Sequence, residues 1–518
     1  MKRTDIYPIG QQDFKTLREF EAMYVDKTQF IEQIIESKSQ YYFLARPRRF
    51  GKSLFLSTLR YFFEGERYLF KGLHIDSTDW TWEKYPVFYI DLNSGEYTDT
   101  ENIDKTFDRL LSKWEESYSI VPKYKDASIR FQDIIETAHE KTGKLVVILV
   151  DEYDKPLVRN IDSEKFDSYR GKLSALYSNF KTCAEHIRLV FMTGVSRFSK
   201  LSIFSDLNNL NDITFDNQYA DICGITEYEL YENFKAGIEN LAIKYNISYE
   251  EAKIKLKNNY DGYKFAEEGN DIYNPWSLFN CLKKSSISNY WNETGFPSII
   301  AKSLKRINAD LEEIFDTYCE ETEMKGFDLA NPNPIALMYQ TGYLTIKDYD
   351  IETGLYHLSV PNREVKEGLV NVLIPYYAKF KSEADESKIK SFVRYLNIGQ
   401  PDKFISSLQT YFAGVSYMLQ MDNENNFHNA FFLICSLIGL KTDAEICTSD
   451  GRIDITIKTP QYIYIIELKY DKSAEDALAQ IEEKKYERMF CNDHRKIFKI
   501  GVSFSSETRT IEDWLIKE

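Results

Sequence analysis

The spacing of apolar positions changes along the chain, and each change marks a different kind of element. Over the first 225 residues or so, short β-branched and aromatic runs alternate with longer stretches of helical spacing. The runs at 41–45, 87–92, 145–150, 189–193 and 220–224 predict strands of a largely parallel α/β sheet, because a strand buried on both faces reads as continuous apolar sequence. Ahead of the first run, Asp26 precedes Phe30, Ile31, Ile34 and Ile35, which predicts an N-capped helix with one buried face. From 226 to about 284 the period is helical, broken by the turn cluster Tyr260-Asp261-Gly262-Tyr263 and by the helix start Tyr273-Asn274-Pro275-Trp276-Ser277. This stretch predicts a helical lid. Residues 291 to about 414 read as mostly helical with a hairpin-like passage at 342–356. After the polar stretch 421–426, an apolar helix at 430–440 leads into strands at 452–458 and 462–470, a helix at 474–490 and a last strand at 497–502. The expected division is therefore 1–225, a lid at 226–290, a helical middle at 291–420 and a small α/β unit at 421–518.

Length and charge narrow the class. A chain of 518 residues is too long for one core. The formal charge of −16 excludes a protein that coats DNA or anionic membrane through its overall field, so any nucleic-acid site must be local. Tyr (37) and Phe (34) outnumber Gly (22) and Pro (13), a balance that favours folded structure throughout. The seven cysteines, at 183, 223, 281, 319, 435, 447 and 491, contain no C-x-x-C pair and predict a reduced protein without a zinc ribbon. Six scattered histidines show no ligand spacing, so any metal should be held by carboxylates. Without an apolar leader or a stretch near the ~20 residues of a membrane span, the expected location is cytoplasmic, with no membrane partner.

Directly after the strand at 41–45 comes Arg46-Pro47-Arg48-Arg49-Phe50-Gly51-Lys52-Ser53, followed by the helical Leu54, Phe55, Leu56 and Leu59. Strand, loop, G-K-S and helix form the context of a phosphate-cradling loop: Gly51 lets backbone approach phosphates, Lys52 reaches the β and γ oxygens, and Ser53 ligates Mg²⁺. The leading glycine of the general motif is Arg46 here. A second element supports the first, since the apolar run Leu145-Val146-Val147-Ile148-Leu149-Val150 ends in Asp151-Glu152. Asp151 is expected to hold the Mg²⁺ shell and Glu152 to polarise an attacking water. Thr193, at the end of the next strand, is a candidate sensor of the γ-phosphate, and Arg197 a candidate for stabilising charge on it, against the alternative of a turn with an exposed arginine. Arg48 and Arg49 are candidates to face nucleotide or a partner, against the alternative of solvated loop arginines paired to local acids.

Near the carboxyl end, Asp454 begins one strand and Glu467-Leu468-Lys469 ends the next. Glu467 and Lys469 share a face of their strand, and a hairpin can bring Asp454 beside them. Charges among Ile, Leu and Tyr neighbours are costly unless compensated, and Mg²⁺ held by Asp454 and Glu467 offsets that cost while Lys469 orients or activates a water. The alternative is a plain Glu467-Lys469 ion pair. From residue 441 onward 13 basic and 16 acidic residues leave no basic surplus, although Lys472, Lys484, Lys485 and Arg488 can build a small patch.

These motifs carry two resemblances. The loop from Arg46 to Ser53, Tyr24-Val25-Asp26-Lys27-Thr28, Asp151-Glu152-Tyr153-Asp154-Lys155-Pro156, Gly194-Val195-Ser196-Arg197-Phe198 and Asn208-Asn209 resemble the AAA-ATPase-like family of bacterial proteins. Tyr273-Asn274-Pro275 and Gln340-Thr341-Gly342-Tyr343-Leu344 are similar to its further segments. The resemblance implies a P-loop NTPase-type sheet with an extra strand between the loop strand and the Asp-Glu strand, which 87–92 can supply, and a nucleotide site spanning Arg48, Arg49, Phe50, Gly51, Lys52, Ser53, Leu54, Asp151 and Thr193. The Asp454, Glu467-x-Lys469 pattern resembles the PD-(D/E)XK nuclease superfamily, which implies a role for Gln480 on the next helix beside Tyr486, and Glu445 as the outlying acid. Together they imply an ATP-binding, Mg²⁺-using protein with a nuclease-like domain acting on DNA more readily than on RNA. A nucleotide-dependent switch or scaffold, whose last domain binds without cutting, is the alternative.

Overall fold

The computed structural model describes residues 6–93, 95–160, 163–197, 210–291, 297–325, 333–378, 383–415, 424–441, 445–449 and 453–518. Two compact units emerge, one formed by residues 1–291 and 318–362, the other by 292–317 and 363–518. No helix among the described residues is long and apolar enough to cross a membrane.

In the first unit, β1 (Tyr41–Ala45), β2 (Val87–Asp91), β3 (Val146–Asp151), β4 (Ile187–Gly194) and β5 (Asn211–Asp212) form a parallel sheet in the order β2-β3-β4-β1-β5. Strands β1 and β3 are buried at every position, as central parallel strands must be. Two expectations are corrected by this order. A strand does separate the loop strand β1 from the Asp-Glu strand β3, but it is β4, and the 87–92 segment forms the edge beyond β3. The alternating burial of β2 suits an edge, whereas the continuous Leu189-Val190-Phe191-Met192 run of β4 suits the middle. The fifth strand is Asn211–Asp212, not 220–224. That later segment wraps the phosphate loop, with Tyr219 O accepting from Arg46 Nη2 at 3.1 Å and Gly224 N–H donating to Phe50 O at 2.8 Å, so its apolar residues are buried as a turn.

Helix α1 (Gln29–Glu36) starts later than Asp26 implies. Asp26 Oδ1 accepts the Thr28 N–H at 2.9 Å and the Thr28 hydroxyl at 2.7 Å, closing a turn ahead of the helix instead of capping it. Helix α2 (Lys52–Phe63) follows the phosphate loop and buries Phe55, Leu56, Leu59, Phe62 and Phe63. The predicted helical region is present as α3 (Glu227–Asn233), α4 (Lys235–Tyr245), α5 (Tyr249–Tyr260) and α6 (Pro275–Lys284), packed around Leu230, Phe234, Ile238, Leu241, Leu256 and Leu278. Capping boxes open α3 at Thr226/Glu229 and α5 at Ser248/Glu251, and Asn274 caps α6 with Pro275 in its first turn. Helix α7 (Pro334–Thr341) and the hairpin β6 (Thr345–Asp350) and β7 (Leu355–Ser359) complete this unit.

In the second unit, helix α8 (Glu424–Lys441) precedes the mixed sheet β8 (Glu445–Ser449), β9 (Ile453–Lys458), β10 (Tyr462–Tyr470), β11 (Lys496–Ser505) and β12 (Thr510–Lys517), ordered as they follow in the chain. β10 and β11 are parallel and α9 (Ala474–Lys484) crosses between them; the other neighbours are antiparallel. The helix expected over 474–490 stops where Lys485 turns left-handed at φ +54°, and a 3₁₀ turn covers Tyr486–Phe490. β8 and β12 extend the predicted α-β-β-α-β order at both edges. β12 carries Glu512 and Asp513 side by side, both exposed, so it lacks the apolar run that marks a buried strand.

Candidate functional site

Parallel pairing brings the nucleotide-site candidates to one edge of the first sheet. Leu44 aligns with Thr193 and Ala45 with Gly194, while Val150 aligns with Met192, so the loop after β1, Asp151 and Thr193 arrive together at the carboxyl ends of the strands. Gly51 has a left-handed φ of +103°, and no atom lies within 4 Å of where a Cβ would stand, so the need for glycine is conformational. It turns the chain into α2 without a side-chain cap, leaving the first helical N–H groups for an anion. Lys52 is 4% exposed; its Nζ donates to Arg46 O at 2.9 Å and Pro47 O at 3.2 Å, and stands 3.6 Å from Glu152 Oε1. Glu152 itself sits at φ +54°, a left-handed conformation that costs a non-glycine residue about 1 to 3 kcal/mol.

Asp151 is buried, and its Oδ1 accepts the Thr193 hydroxyl at 2.7 Å. Burial, then the charge of Glu152, push this carboxyl above its ordinary range, while hydrogen bonds from Ser53 and Thr193 and the charge of Lys52 draw it back. Lys52 thus faces two adjacent carboxylates, an arrangement that a further cation would relieve. Ser53 and Asp151 offer hard oxygen donors, and Mg²⁺ in such sites draws further ligands from phosphate and water, so these two residues fit the ion.

Sequence reasoning assigned no role to Asp154, yet it fixes the end of β4. Its Oδ2 accepts from Val195 N–H at 3.1 Å, Ser196 N–H at 2.7 Å and the Ser196 hydroxyl at 2.6 Å. Burial, with the Glu152 charge adding, pushes Asp154 up to about 6. The available signal was an acid two residues before a proline. Lys27 entered only as part of the Tyr24–Thr28 segment of the resemblance; its Nζ is 2.6 Å from Glu229 Oε1 and ties the segment before α1 to α3.

The loop arginines do different work from one another. Arg46 is buried, donates to Thr214 O at 2.7 Å and Ala45 O at 3.0 Å, and stacks 4.4 Å from the Phe265 ring centroid. It braces the loop where the general motif has glycine. Arg49 lies 4.3 Å over the Trp276 ring and donates to Tyr290 O at 3.1 Å, while Arg48 is half-buried. The Phe50 ring is buried against Tyr263 and Phe265, which leaves only its backbone for a ligand. Leu54 is half-buried and lines an apolar pocket with Gly51, Met23 and Tyr24. Arg197 is held elsewhere: its Nε is 2.7 Å from Asp212 Oδ2 on β5, and its N–H donates to Gln340 Oε1 at 2.8 Å.

In the second unit, Glu467 is 1% exposed at the heart of β10. Lys469 Nζ donates to Glu467 Oε1 at 3.1 Å, and Gln480 Nε2 from α9 donates to the same oxygen. Close packing explains how Gln480 gets there. Glu467 pairs with Gly501 on β11, where a Cβ would fall 2.4 Å from Ala474 O and 2.7 Å from Leu478 N, so only glycine lets α9 lie this near the sheet. Ile455 pairs with Ile466, which makes Asp454 and Glu467 the adjacent positions of their strands. The expected approach of the Asp454 carboxylate, and that of Glu445, lie outside the described side chains. Glu467 is a hard donor suited to Mg²⁺, held in position by a lysine and an amide. Several lysines of this unit are engaged by acids: Lys499 with Glu487 at 3.3 Å, Lys496 with Glu518 at 2.5 Å, and Lys517 with Glu482.

Comparison with known proteins covers both sites. Residues 8–204 match the family described as predicted AAA-ATPase, and residues 422–514 match the PD-(D/E)XK nuclease superfamily. A protein of Azotobacter chroococcum mcd 1, described as "Uncharacterized protein in vnfD 5'region", is 32% identical over 524 residues, covering 98% of this chain and 98% of its own. With a phosphate loop facing an Asp-Glu strand end in one unit and a Glu-x-Lys strand in the other, the chain belongs to the predicted AAA-ATPase family and carries a PD-(D/E)XK nuclease superfamily domain at its carboxyl end.

Proposed function

We propose that the first unit binds and hydrolyses ATP and that this event controls Mg²⁺-dependent cleavage of nucleic-acid phosphodiesters by the second, with DNA the expected substrate and the cytoplasm the setting. The observation that carries the reading is the convergence of Lys52, Ser53, Asp151, Glu152 and Thr193, from two strand ends and one helix start, at a loop whose amides are left uncapped. In this reading Lys52 exchanges its loop carbonyls for β and γ oxygens, and Ser53 and Asp151 hold Mg²⁺. Thr193 links the state of Asp151 to β4, and Glu152 accepts a proton from the attacking water. Arg197 reaches developing charge only by leaving Asp212. In the second unit Asp454 and Glu467 hold Mg²⁺, which supplies charge neutralisation at the phosphate when bound. Lys469 orients the water, and Gln480 keeps Glu467 in one rotamer. A role in defence or mobile-element biology rests on analogy.

Purified protein assayed with Mg²⁺ for ATP turnover and for cleavage of linear and single-stranded DNA tests this. Lys469→Ala should abolish cleavage and keep ATP binding, while Lys52→Ala should abolish ATP binding and lower cleavage if the sites are coupled. Absence of cleavage with Mg²⁺ or Mn²⁺ under every nucleotide condition would remove the nuclease assignment. The second reading, a nucleotide-dependent switch whose last domain binds without cutting, is favoured by the lack of basic surplus after residue 441 and by the engaged lysines. It predicts ATP-dependent retention of DNA or protein without products.

A further inference from the structure

The chain leaves the first unit after residue 291, gives 292–317 to the second, returns to the first over 318–362 and leaves it again at 363. The returning segment is therefore joined to the second unit by covalent chain at both of its ends. It contains the Gln340-Thr341-Gly342-Tyr343-Leu344 motif, to which the proposed reaction gives no part.

Two contacts pin this segment to the phosphate loop. Helix α7 ends at Gly342, whose φ is +86°, and a Cβ there would fall 2.9 Å from Pro47 Cβ, so a left-handed glycine lets the helix end lie against the residue that follows Arg46. Two residues earlier, Gln340 is buried; its Oε1 accepts the Arg197 N–H at 2.8 Å and its Nε2 donates to Met324 O at 3.1 Å. One amide thus ties the end of β4 to the returning segment through both its acceptor and its donor. The second contact lies where the segment ends. Asn362 Nδ2 donates to Asp261 O at 2.7 Å, a Cβ on Gly262 would fall 2.4 Å from Pro361 O, and the next residue, Tyr263, meets the Phe50 ring edge-on with centroids 4.7 Å apart.

The strand end that Gln340 touches is also the one that the proposed reaction uses. Thr193 donates to Asp151, Val195 and Ser196 donate to Asp154, and the Arg197 side chain is held by Asp212. Those partners stand at the ends of β3 and β5 or just beyond. Among the described hydrogen bonds of 193–197, the one to Gln340 is what the returning segment supplies. The proposed reaction gives this strand end two arrangements, Arg197 on Asp212 or Arg197 on the nucleotide, and coupling needs such a pair of states with a physical link to the element that responds. Gln340 provides that link, because leaving the Arg197 N–H without an acceptor here costs free energy, so the amide follows the backbone it holds.

We propose that the returning segment couples the ATP site to the second unit, with the Gln340 to Arg197 hydrogen bond as its contact to the nucleotide-sensing strand end; this rests on the reading of the first unit as an ATPase. Hydrogen exchange of the full chain, read by mass spectrometry with and without β,γ-imido-ATP and Mg²⁺, tests it beside a binding titration of the same analogue. Neither readout needs cleavage. In wild type the analogue should change exchange over α7 and over the helix Arg363–Tyr377, where the chain enters the second unit, by about threefold or more. Gln340→Met, an apolar side chain of similar length, should bind the analogue within about twofold of wild type and lose the response over 363–377. Gln340→Glu keeps an oxygen for the Arg197 N–H and should retain the response. Wild type that binds the analogue with no change over 363–377 overturns the proposal and leaves the ATPase reading intact, whereas absence of binding removes both. A full response in Gln340→Met overturns it as well, and loss of the response in both variants overturns the assignment to Arg197 in favour of the Met324 bond. Thermal melting checks the fold of each variant; should Gln340→Met melt early, wild type and Gln340→Glu carry the test.

Discussion

Both candidate sites set a lysine beside a glutamate, with the lysine buried in the first and the glutamate in the second, and the two pairs are built in opposite ways. Lys52 starts a helix and Glu152 ends a strand about a hundred residues later, yet they stand 3.6 Å apart. Lys469 and Glu467 are two residues apart on one strand, at 3.1 Å. The second contact follows from strand geometry alone, since residues i and i+2 share a face. The first exists only because the sheet is assembled in its observed order. A long-range pair is strong support for a site, whereas a local pair needs a further long-range partner, and in the second unit Gln480 supplies it.

The largest effect should come from the long-range pair. Lys52→Ala removes the only cation that the described contacts bring to both Glu152 and the loop carbonyls, and ATP turnover should fall about a thousandfold, the scale of losing one preorganised charge-stabilising donor. Turnover at wild-type rate would reduce the Lys52-Glu152 contact to the standing of an ordinary ion pair. Glu152→Gln is expected to slow turnover about a hundredfold with nucleotide affinity held within about threefold, because general-base loss acts on the chemical step and not on binding. Single-turnover kinetics beside equilibrium binding separate the two.

What could be read from sequence divides along the same line. The apolar run of β3 ending in Asp151-Glu152 and the Gly51-Lys52-Ser53 turn were legible because both signals are local. Strand order was not, and the choice of β4 over β2 as the inserted strand depends on contacts that span the whole sheet. Arg46 looked like a defect in the motif and is instead a brace whose acceptors, Thr214 and Tyr219, lie about 170 residues away. The end of α9 gave no warning, since Lys485 takes the left-handed position usually given to glycine. β12 escaped because exposed edge strands need few apolar residues.

A smaller effect tests the long-range half of the second site. Gly501→Ala forces a methyl to 2.4 Å from Ala474 O, and overpacking of this kind costs about 1 to 3 kcal/mol. The second unit should melt about 5 °C lower while ATP turnover is retained. If α9 shifts to make room, Gln480 leaves Glu467 and cleavage should fall even where the fold survives. Lys469 would still reach Glu467 along the strand, so a variant that keeps full cleavage would mean that the local pair suffices.

The smallest effect concerns Asp154, the acid that anchors the end of β4. Its carboxyl is raised to about 6 by burial and the neighbouring Glu152 charge, above the ordinary value near 3.8. A raised carboxyl favours the protonated folded state, so its contribution to stability is complete below pH 4 and is lost as pH rises through about 6. Wild type should therefore lose melting temperature relative to Asp154→Asn between about pH 4 and 6, by about 2 °C, whereas below pH 4 the two should differ by a constant set by the Ser196 hydrogen bonds alone. The Asn side chain still accepts from the Val195 and Ser196 amides, which keeps the loop in place. A parallel displacement of the two curves across the whole range would mean that Asp154 stays ionised, and that Lys52 compensates three acids at this strand end instead of two.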